Sequence, residues 1–128
     1  MADREDSGRR GKLGSLGEDI VCRFLTDRGH TVLERNWRCG HLEIDIISAA
    51  ADGIHFVEVK TRSRQTACNI GESIGRAKQR RLAAAAGGYL NRKCLGVTEC
   101  FFDVASVICD SDGVEIEYIP EAFVPVFF

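Results

Sequence analysis

The sequence predicts an α/β domain: a mixed β-sheet flanked by helices, in the order αβββαββ. Three observations carry this. Leu16, Ile20, Val21, Phe24 and Leu25 recur at helical spacing. Two apolar runs, Leu42–Ser48 and Ile54–Arg62, carry charges at alternate positions on either side of Asp52-Gly53, the pattern of an antiparallel hairpin. A second helical stretch, Ile74–Leu90, separates that hairpin from two further strand-like runs, Cys100–Ile108 and Val114–Ile119. A chain of 128 residues is long enough for one domain with a real core.

Residues 1–13 are polar, mixed in charge and glycine-containing, and read as a flexible arm ahead of a single domain over 14–128. Gly14-Ser15 opens the first helix and Gly29 stops it. Glu18 falls at the edge of the apolar stripe, which puts its carboxylate at the core boundary. A first-turn glutamate facing the positive helix end explains it equally well. Thr31–Trp37 is a strand, and Cys39-Gly40-His41 a short connection.

In the hairpin, Ile44 and Ile46 are expected on one face, with Glu43 and Asp45 on the other. Likewise Val57 and Val59 oppose Glu58 and Lys60. A four-residue loop at Ala50–Gly53 places Asp45 opposite Glu58 and Glu43 opposite Lys60. A two-residue Asp52-Gly53 turn places Lys60 opposite Asp45 instead. Either register gathers three carboxylates and one ammonium in one patch. His55 points away from Glu58 and reads as structural, and His41 as a polar flanking residue.

Ser63–Gly75 is a polar loop. In the second helix Ala77, Leu82, Ala85, Ala86, Tyr89 and Leu90 are expected to face inward. Asp103 is the only charge within Cys100–Ile108. Pro120 is expected to end the last strand. The apolar tail from Glu121 to Phe128 should pack on the core or on another subunit.

Net charge is −2, which favours no polyanion partner, but its distribution is uneven. Between Val59 and Arg81 there are seven cations (Lys60, Arg62, Arg64, Arg76, Lys78, Arg80, Arg81) and one acid, Glu72. From Thr98 onward there are seven acids and no Lys or Arg. The first segment would attract a polyanion and the second repel it, although two solvated faces of opposite sign account for the same pattern. Six cysteines lack zinc-knuckle spacing, and with no secretory signal disulfides are not expected. No apolar run reaches membrane-span length, and a cytoplasmic location is expected.

The patch suits hard-cation chemistry. Asp45, Glu58 and the main-chain carbonyl of Val59 offer three oxygen ligands to Mg2+ or Mn2+. Lys60 can orient a water or stabilise charge developing on phosphorus. Glu18 can add a second ion site or an outer-sphere contact. The same residues could instead form a cross-strand ion-pair ladder on a solvated sheet face, and the hairpin alone leaves both open.

A wider set of residues bears on this. Gly14-x-x-Gly17-Glu18, Asn36-x-Arg38, Glu43-Ile-Asp45-Ile-Ile, Phe56-Val-Glu-Val-Lys-Thr-Arg62, Lys78, Phe102-Asp103-Val104 and Ala122-Phe123 together resemble the YraN-like family of predicted bacterial endonucleases. The resemblance spans about residues 14 to 123. That family is placed in the PD-(D/E)XK nuclease superfamily, near archaeal Holliday-junction resolvases. It implies a restriction-endonuclease-like core and Asp45, Glu58 and Lys60 as the catalytic set, with Glu18 auxiliary. It further implies DNA, branched or junction, as substrate, and two active sites, which a homodimer would supply. Arg62, Arg64, Arg76, Lys78, Arg80 and Arg81 would contact phosphates. Leu42 stands where the family usually has glycine, which argues for a regular strand at that point. Two alternatives belong to other classes: a catalytically inactive nucleic-acid-binding module on the same scaffold, and an interaction protein acting through the apolar tail.

Overall fold

The computed structural model describes residues 2–64, 74–95 and 98–124, with side chains from Gly14 onward. Its elements are α1 (Ala2–Asp27), β1 (Thr31–Cys39), β2 (Leu42–Ala50), β3 (Gly53–Arg62), α2 (Arg76–Arg92), β4 (Cys100–Asp110) and β5 (Gly113–Phe123). The order is αβββαββ, as expected. The strands form one mixed sheet in sequence order. Only β3 and β4 run parallel, because α2 carries the chain back between them.

Alternation along the strands divides the core into two layers. Val57, Ala105 and Val107 face α1 and meet Val21 and Leu25. Ile54, Phe56, Phe102 and Val104 face the other way and meet Leu82, Ala85, Ala86 and Tyr89 of α2. The two helices thus cover opposite faces.

Helix α1 begins at Ala2, not at Gly14, so the segment expected as an arm has a helical backbone. Arg, Glu and Lys are good helix formers, and each interior glycine costs only about 1 kcal/mol against alanine. Gly8, Gly11 and Gly14 therefore weaken the helix without ending it. Its buried stripe runs through Gly17, Glu18, Val21 and Leu25, while Leu16 is exposed. Gly17 is what brings the helix close: a Cβ there would fall 1.9 Å from Thr61 Oγ1 and 3.0 Å from Thr61 Cβ. At the far end Gly29 adopts φ +89, and the amides of Gly29 and His30 return to the carbonyls of Thr26 and Leu25. This Schellman arrangement satisfies the last carbonyls of the helix.

The β2–β3 turn settles the register. Ala50 pairs with Gly53 and Ile46 with Val57, which is the alignment of the four-residue loop. Gly53 is required twice over, by φ +147 and by the Glu99 carbonyl, 2.3 Å from where a Cβ would sit. That carbonyl accepts a hydrogen bond from the Ile54 amide and ties the turn to the start of β4.

Three other expectations need correction. Ile44 and Ile46 do not share a face: Ile44 packs with the α2 layer and Ile46 with the α1 layer. Asn36 on β1, at φ +51, lies level with the break, and its neighbours Arg35 and Trp37 likewise reach opposite layers. Asparagine is the residue most tolerant of this left-handed conformation after glycine. In α2, Ala77 is exposed and Ala83 buried. Strand β5 continues through Pro120 to Phe123, since proline is tolerated on an edge strand beside a bulge. The bulge lies opposite Asp103, with Glu121 at φ +46. The Phe123 ring packs tilted against Phe102 of its own chain, centroids 4.9 Å apart, and the tail beyond residue 124 lies outside the described residues.

Five cysteines lie among the described residues, and all are free. No helix among those residues is long and apolar enough to cross a membrane.

Candidate active site

The β2–β3 ladder runs from Ala50↔Gly53 to Ile46↔Val57 and stops there. Beyond it, β2 stays paired only to β1, as far as Leu42, and β3 only to β4, as far as Arg62. Two central strands parting this way leave unpaired amides between them. Asp45 fills the gap: its Oδ2 accepts a hydrogen bond of 2.8 Å from the Val59 amide. Asp45 and Glu58 are thereby placed side by side where the strands separate. They line a cleft of about 270 Å³ together with His41, Leu42, Glu43, Lys78, Arg81 and Leu82. Strand β2 supplies one wall, and the first turns of α2 supply the other.

The electrostatics of this pair are costly. Burial raises the Asp45 carboxyl to about 7, and the charge of Glu58 adds to the rise; the Val59 amide pulls the other way. Glu18 and Glu43 contribute smaller upward pushes. Glu58 is 9% exposed and forms an ion pair with Lys78 of α2. Lys60 lies two residues along β3, on the Glu58 face by alternation, and has no hydrogen bond or ion pair among the described residues. Glu43 is partly exposed and pairs with Arg38 across the β1–β2 ladder at 3.7 Å.

Glu18 approaches from the α1 side and is 8% exposed. Its Oε1 accepts a 2.9 Å hydrogen bond from Asn36 Nδ2 and lies 3.5 Å from the Arg35 guanidinium, which also holds Asp19 at 2.7 Å. The contorted Asn36 therefore fastens Glu18 to the strand beside Asp45. Sequence reasoning passed over Asn36 and Arg35 in this role; an asparagine breaking an otherwise alternating strand was the available signal.

The basic residues divide. Lys78 and Arg81 line the cleft, and Arg76 and Arg80 are exposed on the same helix. Arg62 lies at the end of β3. Arg64 turns to the opposite edge, binding Asp110 at 3.3 Å and Glu115 at 2.7 Å. The loop after it lies largely outside the described residues.

On the other face, His55 sits between Asp103 (Nδ1 to Oδ2, 2.6 Å) and Asp52 (Nε2 to Oδ1, 2.8 Å). Asp103 also receives the Tyr118 hydroxyl and the Glu121 amide. Burial opposes charging of His55, but the two carboxylates outweigh it and raise its pKa. This network ties the hairpin turn to the β5 bulge. His55 is structural, as expected, and points away from Glu58.

Two carboxylates and a nearby carbonyl form a hard-oxygen donor set. Magnesium is usually held by one or two carboxylates with the remaining positions left to water and phosphate. A divalent cation would also relieve the like-charge pair. Among the described residues no three His, Cys, Asp or Glu side chains cluster to enclose a metal ion, so the donor set on offer is the pair Asp45 and Glu58, with water and phosphate left to complete a shell.

Comparison with known proteins places the chain. The profile of the uncharacterised protein family UPF0102 matches residues 17–107. A UPF0102 protein of Dictyoglomus turgidum is 41% identical over 114 residues, covering 88% of this chain and 97% of that one. One from Moorella thermoacetica is 40% identical over 111 residues, covering 84% and 92%. Among solved structures, SfsA of Pyrococcus furiosus in complex with Ca2+ aligns with a TM-score of 0.39 at 16% identity, over 90% of this chain and 63% of that one. On the profile match and the identity of its relatives, the chain belongs to the uncharacterised protein family UPF0102.

Proposed function

We propose that this protein is a divalent-cation-dependent nuclease that hydrolyses DNA phosphodiester bonds, with branched or junction DNA as its substrate class. The observation that carries the reading is the pairing of Asp45 with the buried Glu58 where β2 and β3 part, in a cleft rimmed by Lys78 and Arg81. A buried like-charge pair is expensive unless a cation compensates it. Asp45, Glu58 and the Val59 carbonyl would hold Mg2+ or Mn2+. Bound there, the ion supplies Lewis-acid polarisation of a phosphate and a more acidic water.

The remaining roles belong to the chain's own side chains. The Val59 amide fixes one oxygen of Asp45 and leaves the other for the cleft. Lys60, unpaired among the described residues, orients the attacking water or stabilises charge developing on phosphorus. Glu18, held by Asn36 and Arg35, backs Asp45 from the α1 side. Arg76, Lys78, Arg80 and Arg81 offer phosphate contacts along one helix, and Arg62 extends them from β3. Arg64 is engaged by Asp110 and Glu115 and is the weakest member of that set.

The test is a cleavage assay on linear, flap and four-way-junction DNA with magnesium or manganese. The wild type should cut, and Asp45→Asn and Lys60→Ala should lose at least about a hundredfold in rate. Equal activity in wild type and variants would sink the proposal. Salt-sensitive DNA binding with no cleavage would replace it with a non-catalytic binding module.

A further inference from the structure

Glu58 is nearly buried, yet its counter-charge does not come from its own strand. The ion pair is made by Lys78, in the first turn of α2, whose side chain is 42% exposed against 10% for Glu58. Lys60, on the same strand as Glu58, makes no ion pair among the described residues. The carboxylate is thus answered by an ammonium on a long, half-solvated stem reaching across the cleft. No other hydrogen bond holds Lys78 in place among the described residues. Its position in the first turn also sets it against the positive helix end, so leaving Glu58 alone would be the costlier arrangement.

The contact is to Glu58 Oε1, on the wall shared with Asp45. An ion held by both carboxylates needs an oxygen of Glu58. It could not accept that oxygen's charge in full while an ammonium remained hydrogen-bonded to it, because two cations at such separation repel strongly in a half-buried site. Lysine's flexible four-carbon stem suits it to leave without moving the helix.

We infer that Lys78 is the resident counter-cation of this cleft. It neutralises Glu58 when no divalent ion is bound, is displaced from Glu58 when one binds, and then presents its ammonium to the substrate phosphate. Ion and lysine therefore compete for Glu58, and the ion's arrival prepares a phosphate contact that the free protein withholds. This rests on the reading of the cleft as a cation centre.

The test is calorimetric titration of the full chain with manganese, without DNA, so that the readout is independent of turnover. It compares wild type with Lys78→Gln, Lys78→Arg and Arg92→Gln. Lys78→Gln should bind manganese about tenfold or more tightly than wild type, because no charged hydrogen bond has to be broken. Lys78→Arg keeps the competing charge and should stay within about threefold of wild type. Arg92→Gln removes an exposed cation from the same helix, outside the cleft, and should change affinity by less than about twofold, which separates displacement from general charge. If Lys78→Gln does not fold, Lys78→Met provides the same comparison with the stem retained. Wild type binding manganese as tightly as Lys78→Gln would overturn the inference and leave the cation centre standing. No binding by wild type or any variant would remove the cation centre and the inference together.

Discussion

Replacing Asp45 with asparagine should make the metal-free protein more stable while removing the proposed cleavage activity. Asparagine keeps the shape and can still accept the Val59 amide through Oδ1, so the change isolates the charge. The carboxyl rises from 3.8 to about 7 in the fold, which at ~1.4 kcal/mol per pH unit is a ceiling of about 4 kcal/mol. Asp45 is not wholly buried and solvent recovers part of this, so a gain of about 2–4 kcal/mol is expected. The direction follows from linkage. Below the unfolded value Asp45 is protonated in both states and contributes nothing. As pH rises above it, the unfolded chain releases the proton while the folded chain retains it, so the wild type loses stability. Above the folded value the full cost of an ionised, buried carboxylate is present. The advantage of Asp45→Asn should therefore be largest near pH 8, fall below about 1 kcal/mol near pH 4 and vanish about a pH unit lower. In urea it should raise the unfolding midpoint by about 1–2 M at the higher pH, with an unchanged slope. A variant less stable than wild type near pH 8, or a difference that ignores pH, would refute the argument. The ionised pair would then already be compensated within the fold.

Two further substitutions probe the scaffold. Gly17→Ala sets propensity against packing: alanine should gain the helix about 1 kcal/mol, but the added Cβ meets Thr61, and a net loss of about 1–3 kcal/mol is expected in urea unfolding. A stabilised Gly17→Ala protein would show that α1 does not depend on this close approach. His55→Gln should cost about 1–3 kcal/mol by weakening the bridge between Asp52 and Asp103. Because the folded pKa of His55 is raised, the wild type's advantage should be complete below the unfolded value near 6.5 and fade as pH rises beyond it. An advantage that grows with pH would contradict this.

Much of the architecture was legible in the sequence because it follows from local patterns. Alternating charge around Asp52-Gly53 gave both hairpin strands, and the spacing of Val21 and Leu25 gave the face of α1 that packs. What was missed depends on contacts distant in the chain. Choosing between two hairpin registers needed the Glu99 carbonyl pressed against Gly53, a contact supplied by a strand not yet placed. The swap of faces at Ile44 lies level with one left-handed asparagine on the neighbouring strand, and alternation alone cannot reveal it. Pro120 signals the end of an interior strand, but at a sheet edge it is tolerated, and edge position is a property of topology. Asp103, the lone charge in an apolar run, did hint at a buried partner, although His55 lies far away in sequence. In the cleft, Asp45 and Glu58 follow from the hairpin, but the Lys78–Glu58 pair required knowing where α2 lies.

The most direct measurement is anomalous scattering from a crystal of the protein soaked in manganese. A single strong peak is expected between the carboxylates of Asp45 and Glu58, with Lys78 withdrawn from Glu58. Saturating manganese with no peak there, and Lys78 still on Glu58, would contradict it.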